Sequence, residues 1–177
     1  MPDLMTHLAA THLLRRAWER TRGSDFVPRQ YASLYLGGCL PDLVSRMPGV
    51  VTGFLCTSGY ISLDTAAKCG SIWECFHAPL PTTIVAYLLA MLLPETSRAY
   101  HFLLIVVACA LHYFMDALQT TLGDMGEAWL FPFSWKTWNL GLFWPDESIL
   151  ALPWLGCLVV VLELFRRRRF QLKCSRT

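Results

Sequence analysis

The stretch that decides the fold is residues 99–119, which reads AYHFLLIVVACALHYFMDALQ. Residues 99–115 contain no Asp, Glu, Lys or Arg, and their length is at the short end of what crosses a bilayer as a helix. His112 and Asp116 stand four residues apart, so a helix places both on one face, one turn apart. Ionisable side chains are costly in apolar surroundings unless they face a partner or water. The stretch therefore predicts an apolar helix with a candidate functional site at its end.

Two more apolar stretches flank this one, at 78–94 and 149–162. Only four residues separate the first of them from residue 99, which predicts a helical hairpin over 78–115. The chain then divides into an N-terminal helical part (1–77), the hairpin, an aromatic segment (116–148) and a last span with a basic tail (149–177). We expect one all-α domain, a multi-pass helical membrane protein with about three spans. A soluble all-α bundle is the alternative, because none of the stretches reaches about 20 residues.

Composition and charge agree with this interpretation. The chain has 177 residues, 54% hydrophobic and 16% charged, with a mean hydropathy of +0.39, which excludes a disordered tail. Six of its fifteen basic residues follow position 165, directly after the last apolar stretch. Such a run favours a cytoplasmic anchor over nucleic-acid binding, so no nucleic-acid partner is expected. The seven cysteines are odd in number and include no C-x-x-C pair, which indicates neither a disulfide framework nor a zinc knuckle.

The aromatic residues and the arginines give an expected orientation. Five of the seven tryptophans lie between positions 129 and 154, a cluster typical of an interfacial belt that contacts membrane lipid. With a cytoplasmic C-terminus and three spans, 1–77 and 116–148 share the opposite face, although the seven basic residues of 1–77 oppose translocation. The first helix is expected from Asp3 or Thr6 to about Arg20, with Arg15, Arg16 and Glu19 solvating its end.

Three further places can carry chemistry. Asp42 follows Gly37, Gly38 and Pro41. The glycines permit another helix to approach closely, and the proline is expected to turn the chain so that the Asp42 carboxylate points to a fixed place. The alternative is that Pro-Asp begins a helix. His77 precedes the first apolar stretch and is either a ligand or an interfacial side chain. The first helix contains Thr-His twice. His7 and His12 are about 140° apart around it, so one at most joins a common site.

Together these residues predict a metal site. Asp42, His77, His112 and Asp116, with one histidine of the first helix, are nitrogen and oxygen donors that suit one or two zinc-like divalent ions. Calcium prefers all-oxygen shells, and copper favours sulfur ligands. The plainer interpretation of the 112–116 pair is a core histidine and an aspartate among lipid headgroups. His101, three turns before His112, is expected to be structural.

The order of motifs resembles the bacterial and archaeal membrane-bound metal-dependent hydrolases over nearly the whole chain. The motifs are Pro2-Asp3-Leu4-Met5-Thr6-His7, Leu40-Pro41-Asp42-Leu43, His77, Leu111-His112-x-x-x-Asp116, Leu130-Phe131-Pro132-Phe133-Ser134-Trp135 and Leu140-Gly141-Leu142-Phe143-Trp144. The resemblance implies an inner-membrane enzyme, and it implies that His7 rather than His12 is the metal ligand of the first helix. It implies the metal ligands His7, Asp42, His77, His112 and Asp116. We expect Asp42 and Asp116 to be the catalytic residues.

A more distant resemblance concerns His112-Tyr113-x-x-Asp116-x-x-Gln119, which is similar to a stretch of the zinc-dependent phospholipases C and related all-α zinc nucleases. The chain departs from these patterns in three places. Leu122 stands where the soluble enzymes have a histidine. Val44 stands where the membrane family often has the second aspartate of a P-D-x-D motif, and His77 is single where that family has a histidine pair. One or two ions are therefore expected rather than three.

Asp124 and Glu127, in a turn after the central helix, either complete the shell, serve as a base, or are ordinary solvated turn residues. The expected function is hydrolysis of a phosphoester, with lipids among the candidate substrates, by metal-activated water. The alternative is a non-catalytic membrane protein with a structural metal site.

Overall fold

The computed structural model describes residues 4–120 and 128–174. Within these ranges the chain is all-helical, without a β-strand, as the sequence predicts. The helices are α1 (Leu4–Arg22), α2 (Pro28–Thr57), α3 (Leu63–Glu74), α4 (Pro79–Met91), α5 (Glu95–Ala117) and α6 (Pro145–Cys174). The candidate residues Asp124 and Glu127, and also Leu122, lie outside the described residues.

Helix α5 is the centre of the fold. Its buried residues recur every three or four positions, at 101, 104, 105, 108, 109, 112, 113, 116 and 117, so they form one stripe along the helix. The stripe is mostly apolar in its middle, where Leu104, Ile105 and Ala108 are almost fully buried. It becomes polar at the C-terminal end with His112 and Asp116. The packing that makes the core therefore also carries these two side chains into the interior.

Helix α2 packs closely on α5 because glycines remove side chains from the contact. A Cβ at Gly37 would lie 2.8 Å from Ile105 Cα, and a Cβ at Gly38 would overlap the Thr11 side chain of α1. These distances are shorter than atoms tolerate, so only glycine permits this approach. Helix α2 is thereby held between α1 and α5.

The structure corrects the expectation that Pro41 turns the chain or begins a helix. Pro41 is buried in the middle of α2, which also continues through Pro48 to Thr57. An interior proline costs about 3 kcal/mol in a helix. The close packing of α2 on α1 and α5 supplies the tertiary contacts that offset this cost.

Helices α4 and α5 correspond to the hairpin that the sequence predicts, with a link at 92–94. Among the described residues, α5 is the one helix long and apolar enough to cross a membrane, with a mean hydropathy of 1.5 over its best window, of which 44% is buried in the protein. Helix α4 is apolar but shorter. The third apolar stretch, 149–162, lies in α6, where apolar side chains such as Leu150 and Trp154 are exposed.

A polar cluster joins α1 to α6. Glu163 of α6 accepts hydrogen bonds from Arg15 and Arg16 and contacts the Nε2 atom of His12. Glu19 is buried and accepts from the Phe26 amide, the Tyr31 hydroxyl and Arg16. The expectation that Arg15, Arg16 and Glu19 merely solvate the end of the first helix is therefore wrong, because α6 and the 26–31 segment cover this end.

The aromatic segment lies against the C-terminal end of α5. The Leu140 and Leu142 amides donate to the carbonyls of Ala117 and Leu118, at 2.6 and 2.8 Å, and the Thr120 amide donates to the Phe143 carbonyl at 2.7 Å. These three hydrogen bonds fix residues 140–143 beside the polar end of the central helix.

Candidate metal centre

Four separate parts of the chain contribute to one buried cluster of donors. His7 comes from α1, Asp42 from the middle of α2, His77 from the residue pair before α4, and His112 and Asp116 from α5. The structure thus brings together all five of the residues that the sequence analysis selects as metal ligands. Their side chains are between 0% and 14% exposed, and Asp42 is the most accessible.

The cluster contains two groups of three ligands that share one histidine. The first group is His7, His112 and Asp116, and the second is Asp42, His77 and His112; within each group the donor atoms all lie within 4.8 Å of one another. Both groups consist of imidazole nitrogens and carboxylate oxygens. Each group can therefore hold a metal ion with three protein ligands.

The separations between donor atoms fit the shell of a small divalent ion. His112 Nε2 lies 3.2 Å from an Asp116 oxygen and 3.3 Å from His77 Nε2. His77 Nε2 lies 3.5 Å from an oxygen of Asp42 and 3.5 Å from one of Asp116, and His7 Nε2 lies 3.4 Å from the other Asp116 oxygen. Donors about 2.0–2.2 Å from a tetrahedral ion stand about 3.3–3.6 Å apart.

Several of these donor atoms have no hydrogen-bond partner within the described residues. They are both ring nitrogens of His7, one oxygen of Asp42 and both oxygens of Asp116, and all of them are buried. A buried polar group without a partner costs about 1–3 kcal/mol, and more when it is charged. A cation held in the cluster would give these atoms the partner that they lack.

The orientation of His112 is set by the backbone of α2. Its Nδ1–H donates to the Gly38 carbonyl at 2.8 Å, so the Nε2 lone pair faces the cluster. Pro41 lacks an N–H and leaves the neighbouring Gly37 carbonyl without its helical donor, and the Cys109 thiol donates to that carbonyl instead. A histidine that ligates a metal commonly donates its other N–H to a carbonyl in this way.

The charge state of Asp42 also suits a ligand. Burial alone would raise the pKa of this carboxyl, but the neighbouring His77, His112 and Arg46 outweigh burial and hold the pKa below its ordinary value. The carboxylate is therefore ionised at neutral pH.

The His7 ring is stacked on the His112 ring, with centroids 3.7 Å apart and planes inclined by 13°.

The other histidines lie elsewhere. His12 contacts the Tyr35 hydroxyl and Glu163, on the side of α1 that faces α2 and α6. His101 is buried and its Nδ1 atom hydrogen-bonds to the Ser33 hydroxyl at 2.7 Å, in keeping with the structural role expected for it. Both histidines are thus occupied outside the cluster.

Sequence reasoning missed three residues around the cluster. Arg46 Nε lies 2.6 Å from the Asp42 oxygen that faces His77, and its spacing of four residues from Asp42 is the signal that would have found it. Tyr113 hydrogen-bonds to Thr82 and packs edge-on against His77. Trp129, from the aromatic segment, packs on Tyr113. No sequence spacing connects Trp129 with the cluster.

Comparisons with protein-family models, with curated proteins and with solved structures find no match to this chain. The resemblance to membrane-bound metal-dependent hydrolases therefore stays a prediction from the motifs.

Proposed function

We propose that this chain is a membrane-embedded, metal-dependent hydrolase that cleaves phosphoesters. The observation that carries the proposal is the shared cluster of two three-ligand groups, in which donor atoms of His7, Asp42 and Asp116 have no hydrogen-bond partner among the described residues. A protein interior rarely leaves such atoms unsatisfied unless a ligand satisfies them. Membership of the membrane-bound metal-dependent hydrolases, proposed from the motif order, agrees with this function.

Zinc, at one or two ions, suits the donor set best. Imidazole nitrogen with carboxylate oxygen is a ligand set typical of zinc, and three protein ligands with an open fourth position are typical of catalytic rather than structural zinc sites. When bound, such an ion supplies a Lewis acid and lowers the pKa of a coordinated water to about 7. His112 Nε2 can serve only one ion at a time, so a second ion would depend on His77, Asp42 and an oxygen of Asp116.

The side chains of the centre divide the remaining work. The Gly38 carbonyl holds the His112 ring in position. Both oxygens of Asp116 face histidine nitrogens, so this carboxylate would hold the metal together with the neighbouring histidines. Asp42 is 14% exposed, more than the other four side chains, and is therefore the group most accessible to water and substrate. We assign catalytic roles to Asp42 and Asp116. Asp42 has the main role, and Asp116 positions the charge.

A membrane location is supported by the apolar surface. We propose spans at 78–94, 99–115 and 149–162 in the prokaryotic inner membrane, with the basic tail in the cytoplasm. Helix α5 meets the length and hydropathy of a span, and α6 exposes apolar side chains, with Leu150 73% and Trp154 78% exposed. Exposed apolar area of this kind is rare on soluble monomers and common where lipid covers it.

A lipid substrate is part of the proposal because apolar surface lies near the centre. On α2, the exposed residues Leu43, Met47, Val50 and Phe54 form one stripe, adjacent on the helix to the face that carries Asp42. The aromatic segment, held against the end of α5, exposes Phe133 and Trp135. An amphiphile can therefore bring its headgroup to the cluster while its apolar part stays in the membrane.

Elemental analysis of the detergent-purified protein tests the metal. We expect one or two zinc or similar ions per chain, and loss of the metal in His112→Ala/Asp116→Ala. His101→Ala is the matched control, because His101 is a buried histidine of the same helix that bonds to Ser33. Metal at the wild-type level in the double variant would contradict the proposed ligands.

The second candidate function is a structural metal site without turnover. It is favoured by the depth of His7, His112 and Asp116, whose side chains are at most 3% exposed, and by the origin of the ligands in four separate parts of the chain. An ion there would tie α1 to α5 and stabilise the fold. A metal-containing protein that hydrolyses neither soluble nor lipid phosphoesters, and that unfolds at lower temperature after chelation, would favour this candidate.

A further inference from the structure

Arg46 lies at the accessible edge of the metal centre. Its Nε atom is 2.6 Å from the Asp42 oxygen that also faces His77 and His112. Its own side chain is 41% exposed, whereas the five ligands are at most 14% exposed. The guanidinium therefore stands between the buried donors and the surrounding solvent or lipid headgroups.

The contact between Arg46 and Asp42 does not use the whole guanidinium. It lacks hydrogen-bond geometry, since the Asp42 oxygen remains without a hydrogen-bond partner. Among the described residues, the salt bridge of Arg46 involves its Nε atom, and neither terminal nitrogen takes part in a hydrogen bond or salt bridge. An arginine presents five N–H donors in a planar fork that matches two oxygens of a phosphate or carboxylate. The terminal N–H groups of Arg46 can therefore donate hydrogen bonds to a ligand beside the centre.

The charges around the centre favour an anion. The carboxylates of Asp42 and Asp116 balance one divalent ion, so Arg46 leaves an excess of positive charge, which a second ion would increase. A cation placed beside a metal site weakens metal binding unless a negative group joins both. An isolated i, i+4 ion pair on a helix surface, which is the simplest alternative role for Arg46, contributes little to stability.

We infer that Arg46 binds a non-bridging oxygen of the substrate's phosphoryl group, and that the substrate is a phosphoester with at least one negative charge on that group. This inference rests on the proposed function and adds the substrate's charge to it. Bound in this way, the phosphoryl group would contact the metal with one oxygen and the Arg46 fork with another. The arginine acts by orienting the anion and neutralising its charge.

Binding of inorganic phosphate to the zinc-loaded, full-length protein tests the inference, with zinc measured in the same samples. The variants are Arg46→Gln, Arg46→Lys and the control Lys68→Gln, which breaks another i, i+4 ion pair, with Asp64 on α3. We expect Arg46→Gln to keep its zinc and to bind phosphate about tenfold or more weakly, the effect of losing a hydrogen bond to a charged group. Arg46→Lys should be intermediate, and Lys68→Gln should match the wild type.

A pair of model substrates gives an independent readout. Arg46→Gln should slow hydrolysis of the anionic bis(p-nitrophenyl) phosphate more than that of a neutral phosphotriester, because only the diester offers a charged oxygen. An equal effect on both esters would overturn the inference, as would wild-type phosphate affinity in Arg46→Gln. Loss of zinc from Arg46→Gln would also overturn it and assign Arg46 to holding Asp42. Failure of the wild type to bind zinc would instead remove the proposed function, and the inference with it.

Discussion

The Nδ1–H of His112 donates to the backbone carbonyl of Gly38 at 2.8 Å, and Gly38 lies one turn before Asp42 on α2. One hydrogen bond thus connects a candidate ligand of α5 to the helix that carries another candidate ligand. Gly38 also allows Thr11 of α1 to approach, and α1 carries His7. The position of this single glycine therefore affects three of the five ligands.

Replacing Gly38 with alanine should damage the metal centre through packing. The added Cβ would overlap the Thr11 side chain, so α1 has to move away and take His7 with it. Overpacking of this kind costs about 1–3 kcal/mol. We expect Gly38→Ala to lower the free energy of unfolding by that amount and to reduce the affinity for zinc, measured by thermal unfolding and competition with a chelator.

Gly53→Ala is the control for this variant. Gly53 lies in the same helix, and a Cβ there would meet no atom within 4 Å. Alanine should stabilise the helix at that position by about 0.5–1 kcal/mol. A Gly38→Ala protein as stable as Gly53→Ala, with unchanged zinc affinity, would refute the role of close packing.

The substrate class can be tested with Asp42→Asn. An amide at this position weakens both metal binding and charge stabilisation, so the phosphodiesterase or phosphomonoesterase activity of Asp42→Asn should be at least about tenfold lower than that of the wild type. A chelator should abolish the activity of the wild type. Asp64→Asn, an exposed carboxylate paired with Lys68, should keep full activity.

The same assay should compare a soluble phosphodiester with a phospholipid in mixed micelles. We expect the phospholipid to be the better substrate, because the aromatic segment, whose residues 140–143 lie beside the end of α5, exposes Phe133 and Trp135. Chelator-sensitive activity confined to the soluble ester would exclude a lipid substrate and leave the metal site intact. The exposed aromatic residues would then only anchor the protein in the interface.

Topology gives a prediction that does not depend on the metal. Reporter fusions after Thr177 and between Gly123 and Trp129 should report opposite sides of the membrane, with the C-terminus cytoplasmic. The arginine run after Phe165 is the reason, since basic residues next to a span stay in the cytoplasm. The same side at both positions would rule out the arrangement with three spans.

The buried carboxylate of Glu19 should make stability depend on pH. Burial alone would raise its pKa, but hydrogen bonds from the Phe26 amide, Arg16 and Tyr31 lower it below the ordinary value. The stabilisation is therefore fully present above the unfolded-state pKa of about 4.5 and is lost as the pH falls through the lower folded-state value. Glu19→Gln should cost about 1–3 kcal/mol at pH 7.

This difference between Glu19→Gln and the wild type should shrink on acidification below about pH 4.5, measured by denaturant unfolding at several pH values. The exposed Glu74→Gln is the matched control and should follow the wild type throughout. A difference between Glu19→Gln and the wild type that stays constant across the pH range would show that the Glu19 charge does not stabilise the fold.

The helical fold class, the hairpin over 78–115 and the five side chains that meet in the cluster could all be predicted from the amino-acid sequence. This was possible because a 3.6-residue period, prolines at helix starts and ionisable residues in apolar stretches are local signals. His112 and Asp116 were the clearest case, since their spacing alone puts them on one face of α5. The motif order added His7, which local geometry could not distinguish from His12.

The tertiary structure alone decided how these parts contact one another. It placed Pro41 inside α2 rather than at a turn, because α1 and α5 pack against Gly37 and Gly38 closely enough to offset the cost of a proline. It also brought Arg15 and Arg16 into contact with Glu163, which lies about 150 residues further along the chain. Such contacts join residues far apart in sequence, and no local pattern encodes the distance between two helices.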